Sequence, residues 1–246
     1  MGSVPRTIIL IPSRLASSRF PGKPLAEVGG EAMIVKVWRS AVAADVGSVV
    51  VACGDQEIAE AVEAAGGNIV MTQPNHPSGS DRIYEALEVS DPDRTVQRII
   101  NLQGDLPTIE PAAIRKVLEP LRDPEVDIAT LAAKITDPNE CNDPNVVKVV
   151  AALGGGIDTA RALYFSRAAV PTGGGPLWHH IGLYAYRRAA LEKFVALPPS
   201  RLEKREKLEQ LRALEAGMRI EVARVKTVPL GVDTLADLER ARQLFK

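Results

Sequence analysis

The feature that most constrains this chain is a set of short, unbroken apolar runs separated by longer segments of helical period. Residues 8–11 read Ile-Ile-Leu-Ile, and runs of the same kind recur at 48–52 and 97–102, with a shorter one at 69–71. A strand covered on both faces has no side to leave polar, so it reads as continuous Val, Ile and Leu. Between these runs lie helical patterns at 33–44, 56–65, 80–89 and 111–121. In the first, Ile34, Val37, Trp38 and Ala41 share a face; in the third, Ile83, Ala86 and Leu87 do. Gly66-Gly67 stops the second, and Pro111 opens the last at its first position. Strand–helix–strand alternation of this kind predicts an α/β fold, with a mainly parallel sheet flanked by helices.

The rhythm changes near residue 125. Strands are expected at 127–132, 146–151 and 162–165, with no long helix between them, and Gly154-Gly155-Gly156 and Gly173-Gly174-Gly175 punctuate the segment. This predicts a smaller β-rich lobe over about 126–199, with a mobile loop near 172–178. A helix at 202–216, a strand at 220–225 and a last helix at 235–244 then rejoin residues 1–125 as the core of a single domain spanning 1–246.

Charge narrows the functional classes. Thirty basic residues face thirty-one acidic ones, which gives no general attraction to nucleic acid or to an anionic membrane. The apolar run at the start is too short for a signal-peptide core, and no run approaches the 18 residues of a membrane span, so a cytoplasmic protein is expected. Cys53 and Cys141 form no CxxC pair, and three histidines offer no zinc spacing. Both cysteines are expected to be buried free thiols.

In open α/β sheets ligands bind beyond the carboxyl ends of the strands. That rule selects the loops after Ile11, Met71, Leu102 and Val225. The first, residues 12–25, carries Arg14, Arg19 and Lys23 and no acid until Glu27. Arginine grips phosphate oxygens as a fork and lysine acts as a point charge. The loop is not a Walker A motif, because Pro24 follows Gly22-Lys23. Read by itself it could equally be a solvated basic loop. Asp105, freed by Gly104 after the strand at 97–102, can face the cleft or serve only the turn. Near the end of the chain Thr234 and Asp237 form a capping pair, which leaves Asp233 just outside the helix. Ser78 and Asp81 likewise read as a helix cap.

These segments have a known likeness. The run Ile-Pro-Ser-Arg-x-x-Ser-Ser-Arg-x-Pro-Gly-Lys-Pro-Leu, His76-x-Ser78-Gly79-Ser80-Asp81-Arg82, Gln103-Gly104-Asp105 and Gly231-Val232-Asp233-Thr234 resemble the motifs of the 3-deoxy-manno-octulosonate (Kdo) cytidylyltransferases, or CMP-Kdo synthetases. So do Arg167, the segment His180 to Tyr184, and Glu209-Gln210. The likeness runs in order from Ile8 to Leu238. It implies a Rossmann-like nucleotidyltransferase fold whose β-rich lobe also serves dimerisation, through about 146–170. It implies transfer of CMP from CTP to the anomeric hydroxyl of Kdo, with release of pyrophosphate, for lipopolysaccharide assembly.

Residue by residue, the likeness gives Arg14, Lys23 and, less directly, Arg19 to the triphosphate. It gives His76, Ser78, Gly79 and Ser80 to the nucleoside, and magnesium (Mg2+) to Asp105 and Asp233. Arg14, Lys23, Asp105 and Asp233 are thus the expected catalytic residues. Gln103, Arg167, His180, Tyr184, Glu209 and Gln210 are expected on the sugar side, and His179 is given no role. Leu106 departs from the family pattern, where an acid is common, and so takes no part in metal binding. The residues also allow plainer readings. Asp81 and Arg82 suit a scaffold, Tyr184 suits the core, and the charges of 201–212 suit a solvated helix face with pairs such as Glu203 and Lys207. Two other functions stay open: cytidylyl transfer to another acid sugar, such as sialic acid or an 8-amino analogue of Kdo, and CTP-dependent regulation without turnover.

Overall fold

Strands and helices in the first third of the chain follow directly from the apolar pattern. The computed structural model describes residues 5–16 and 20–245. They form two compact units. The chain up to Ile114, with the segment from Pro229 onward, makes the first, and Arg115–Val228 makes the second.

In the first unit, β1 (Thr7–Ser13) leads to a small hairpin of β2 (Glu27–Val28) and β3 (Glu31–Ala32). Then come α1 (Met33–Ala43), β4 (Ser48–Cys53), α2 (Gln56–Ala64), β5 (Asn68–Met71), α3 (Gly79–Ser90), β6 (Arg98–Asn101) and the short helix α4 (Pro111–Lys116), within which the division between the units falls. Four strands lie in the order β5-β4-β1-β6, all parallel, with Ile9 opposite Val49 on one side and Ile100 on the other. Ile8 to Ile11 are at most 2% exposed. Successive side chains on a strand face opposite ways, so both faces of β1 are covered. Helix α1 buries Met33, Ile34, Val37, Trp38 and Ala41 along one stripe. The strand order contains a reversal: from β1 the chain builds outward through β4 and β5, then crosses back to place β6 on the other side of β1. The loops after β1 and β6 therefore part, leaving a crevice where such sheets bind ligands. The carboxyl-terminal helix (Leu235–Leu244) closes the unit: Val232, Leu238 and Ala241 pack against Val28 and Met33.

The second unit contains β7 (Ile128–Lys134), α5 (Pro138–Asn142), β8 (Lys148–Val150), β9 (Thr159–Arg161), β10 (Tyr164–Ser166), β11 (Trp178–Arg187), α6 (Arg188–Ala196), α7 (Arg201–Glu206), α8 (Gln210–Glu215) and β12 (Ile220–Val225). Its sheet is mixed. β7 pairs antiparallel with β11 and parallel with β12, β9 runs antiparallel to β12, and β8 pairs antiparallel with β10 and β11.

Several expected elements differ. The helix expected over 111–121 stops at Lys116. Beyond it Leu118 and Glu119 bond only three residues back, and Pro120, with no N–H, opens a separate 3-10 turn. The helix expected over 202–216 is two helices, because Lys207 takes a left-handed backbone (φ 56°) that ends α7. That break also cancels the expected Glu203–Lys207 pair: the Glu203 carboxylate accepts instead from both Nε and Nη2 of Arg212, at 2.9 and 2.6 Å. Strand β11 and helix α6 were not anticipated. The two histidines and Gly182 break the apolar pattern, and the register with β7 shifts between Ile181 and Tyr184. The loop expected near 172–178 gives way to β11 at Trp178, which is buried. Cys53 is buried, but Cys141 is only partly so.

The second unit buries one charge completely. Lys148 is 0% exposed, and its ammonium donates to the carbonyls of Asp143, Val146 and Arg167 at 2.8, 2.6 and 2.9 Å. Burial pushes its pKa down, and the nearby Asp143 opposes that. Removing the ammonium strands three carbonyls. Lys148→Met is expected to lose about 3 kcal/mol of stability, read as a lower urea midpoint with an unchanged denaturant slope.

Candidate active site

The crevice beside β1 is a cavity of about 830 Å³ within the first unit, lined by residues of four separate segments. From the end of β1 come Pro12, Ser13 and Arg14, then Lys23. The loop after β5 contributes His76, Ser78 and Gly79, followed by Arg82 on α3. Gln103, Gly104 and Asp105 come from the loop after β6, and Asp233 from the returning chain.

Local structure explains how these side chains are presented. Beyond Arg14 the loop is pinned where the backbone N–H of Leu15 donates to the Asp55 carboxylate at 2.8 Å, just past the end of β4. Gly22 sits at φ 72°, a left-handed turn that glycine adopts without steric cost, and it turns the chain into the short 3-10 segment carrying Lys23. At Gly104 a side chain would come within 3.2 Å of the Pro12 carbonyl and 3.1 Å of Ile34. Glycine there lets the Asp105 loop lie directly against β1. Asp105 in turn accepts, through its backbone carbonyl, the N–H of Val232 at 2.9 Å, which brings Asp233 alongside. The Asp237 carboxylate caps the final helix by accepting from the backbone N–H groups of Asp233 and Thr234 and from the Thr234 hydroxyl.

The result is a convergence of charge. The Lys23 ammonium lies 2.8 Å from Asp105 Oδ2 and 3.2 Å from Asp233 Oδ1. Two carboxylates far apart in sequence thus share a single cation. Further cations line the same cavity: Arg14, which is exposed, and Arg82, which is buried. Burial, and then the proximity of Arg14, lower the pKa of Arg82. Arg82 also holds the loop after β5, donating to Thr72 Oγ1 at 2.5 Å and to the Pro74 carbonyl at 3.0 Å. At the edge of the cavity the buried Ser13 hydroxyl has no hydrogen-bond partner among the described residues.

The expected nucleoside residues divide. His76 lines the cavity and pairs through Nε2 with the Glu85 carboxylate. Burial raises the pKa of Glu85, but the hydrogen bonds from His76 and the Gln73 N–H outweigh it, and the net shift is downward. Ser78 lines the cavity while capping α3, its hydroxyl accepting from the Asp81 N–H at 3.2 Å. Gly79 lies against Pro12. Ser80 is buried and is not part of the cavity lining. Arg19 lies outside the described residues. Sequence reasoning overlooked Asp55, Ser13 and Glu85, and gave Arg82 only a scaffold role. Asp55 carried one signal, its place directly after an apolar run.

Of the sugar-side candidates, Gln103 lines the cavity and donates to Asn101 Oδ1 at 3.1 Å. The others belong to the second unit. His180 and Tyr184 are in ring contact on β11, with centroids 5.5 Å apart, and Phe165 meets His180 edge-on. Burial pushes the Tyr184 phenol well up, assisted by Tyr186 and Glu209. The Arg167 guanidinium donates to the carbonyls of Glu206 and Pro144 at 2.9 and 2.8 Å. Glu209 precedes α8, and Gln210 is buried in its first turn. His179 approaches Glu140.

A family model described as Cytidylyltransferase matches residues 8–220. Fold, cavity and match together define a nucleotidyltransferase, and the chain belongs to this cytidylyltransferase family. The 3-deoxy-manno-octulosonate cytidylyltransferase of Methylobacterium radiotolerans is 64% identical over 97% of this chain and 96% of its own length. That of Azorhizobium caulinodans is 66% identical over 97% and 95%. A solved structure of CMP:2-keto-3-deoxy-manno-octonic acid synthetase, complexed with CTP, is 39% identical with a TM-score of 0.89 over 97% of this chain and 98% of that one. Within the wider family the chain is thus one of the 3-deoxy-manno-octulosonate cytidylyltransferases. Among the described residues, no helix is long and apolar enough to cross a membrane.

His180 gives a test in solution. Burial, then the neighbouring His179, push its pKa down to about 3, so it is neutral in the fold. The unfolded chain takes up that proton near the ordinary value of about 6.5. The stability contributed by neutral His180 is therefore full above about pH 6.5 and is lost as pH falls toward 3. Between about pH 7 and pH 4.5, unfolding free energy is expected to fall more steeply in the wild-type protein than in His180→Gln, measured by denaturant titration.

Proposed function

We propose that the chain transfers CMP from CTP to the anomeric hydroxyl of Kdo, releasing pyrophosphate. The observation that carries this reading is the Lys23–Asp105–Asp233 convergence, set in a cavity with Arg14 and Arg82. In the reaction a bond forms between the anomeric oxygen and the α-phosphorus, the hydroxyl gives up its proton to solvent, and the bond from that phosphorus to the pyrophosphate oxygen breaks. Negative charge builds on the leaving pyrophosphate, and Arg14 and Lys23 meet it. Holding both reactants in one cleft supplies the in-line geometry.

Magnesium fits the donor set. Mg2+ takes one or two protein carboxylates and completes its shell with substrate oxygens and water, and Asp105 and Asp233 already converge on one cation. Held there, the ion supplies charge neutralisation and acidifies the sugar hydroxyl. We assign His76, Ser78 and Gly79 to the nucleoside. We propose a sugar-side role for Gln103, which lines the cavity, and, from the likeness to the family, for Arg167, His180, Tyr184, Glu209 and Gln210 of the second unit. The same reading makes the protein a cytoplasmic homodimer that supplies activated Kdo for lipopolysaccharide assembly.

Pyrophosphate release, measured with CTP, Mg2+ and a panel of Kdo, 8-amino-Kdo and sialic acid, tests the assignment. Kdo is expected to give the highest kcat/KM. Asp105→Asn is expected to lower turnover by about 100-fold or more with an unchanged circular dichroism spectrum. Near-native turnover in that variant would overturn the metal assignment.

A further inference from the structure

We infer that Glu85 is a positioning residue for nucleotide recognition, acting through His76. The inference rests on the assignment of the cavity to CTP.

The loop after β5 has no regular structure, and Gln73, Pro74, Asn75 and Pro77 within it are exposed. Its start is tied to β4, where the Thr72 N–H and hydroxyl donate to the Cys53 carbonyl, and the rest is held by the face of α3 that carries Arg82 and Glu85, three residues apart and so on the same side of the helix. Arg82 takes Thr72 and the Pro74 carbonyl, as described above. Glu85 takes the Gln73 backbone N–H at 3.1 Å and the His76 ring. The two side chains thus engage Thr72, Gln73, Pro74 and His76 from a single rigid element. Arg82 holds backbone and a hydroxyl. Glu85, by contrast, holds a ring that lines the cavity.

A carboxylate on an imidazole nitrogen does more than restrain the ring. An ionised carboxylate only accepts, so the proton sits on His76 Nε2, and in the neutral ring Nδ1 is left as an acceptor. Glu85 is held ionised by its bonds to His76 and Gln73. Ring orientation and the hydrogen-bonding character of the free nitrogen are therefore both set by a residue outside the cavity lining. A neutral amide in place of Glu85 keeps the shape but can donate as well as accept, and the tautomer is no longer dictated.

A double-mutant cycle with two readouts tests this. CTP binding is measured by calorimetry for the wild-type protein, Glu85→Gln, His76→Ala and the double variant, and the His76 tautomer is read from long-range 1H–15N spectra of the free protein. Glu85→Gln is expected to weaken CTP about tenfold, and to raise the KM for CTP with little change in kcat. In the His76→Ala background the same change is expected to cost less than about twofold. The Nε2-protonated signal is expected to dominate in the wild-type protein and to give way to a mixture in Glu85→Gln. Equal losses in both backgrounds would reduce Glu85 to a support for the loop and overturn the inference, as would an unchanged tautomer. Failure of the underlying reading looks different: the wild-type protein itself would give no heat with CTP.

Discussion

Two carboxylates that lie side by side repel, and the first unit is organised around the cation that stops them. The backbone bond from Val232 to the Asp105 carbonyl brings Asp105 and Asp233 together, and the Lys23 ammonium, within reach of both, offsets their repulsion. The carboxylates are 34% and 50% exposed, and ion pairs as open as these add little to stability. The arrangement is therefore poorly explained as a staple. It is well explained as a place where charges are gathered to meet other charges, with Arg14 and Arg82 bordering the same space. On the function proposed above, a polyphosphate would bring anionic oxygens to the lysine and both arginines and leave the two acids for a divalent ion.

Each contributor to that point depends on a separate backbone device. Lys23 relies on the left-handed turn at Gly22, Asp105 on the close approach that Gly104 permits, and Asp233 on the bond from Val232 to the Asp105 carbonyl. Burial of Val232 beside Val28 and Met33 fixes the last of these. The reversal of strand order leaves the crevice, and three local conformations aim side chains into it.

Legibility followed the physics of each element. Strands covered on both faces, such as β1 and β4, announce themselves, and so does the stripe of α1. The helix caps at Ser78 and Thr234 were equally plain, because short-range side-chain chemistry is written in neighbouring residues. Strand β11 was hidden because its histidines and Gly182 mimic a loop, although burial alternates along most of it. The break at Lys207 was hidden for another reason. It coincides with tertiary bonds, Arg167 to the Glu206 and Lys207 carbonyls, that no local pattern records. Within the site, the charged residues could be listed from sequence, but the sharing of one ammonium by two distant acids could not. Glu85 and Asp55 were missed because they act on neighbours in space while looking, in sequence, like ordinary helix and turn residues.

The contact between Lys23 and Asp233 joins residues 210 positions apart. At the usual pace of translation, about 5–20 residues per second, the second partner leaves the ribosome roughly 10–40 s after the first. The parallel strands and the loop bearing Lys23 are available to fold in that interval, yet the charge cluster cannot close. The last of its members arrives with the segment that packs the final helix onto Val28 and Met33. Closing of the charge cluster and docking of the Leu235–Leu244 helix are thus linked, and a nascent chain cannot close the cluster before Asp233 has emerged.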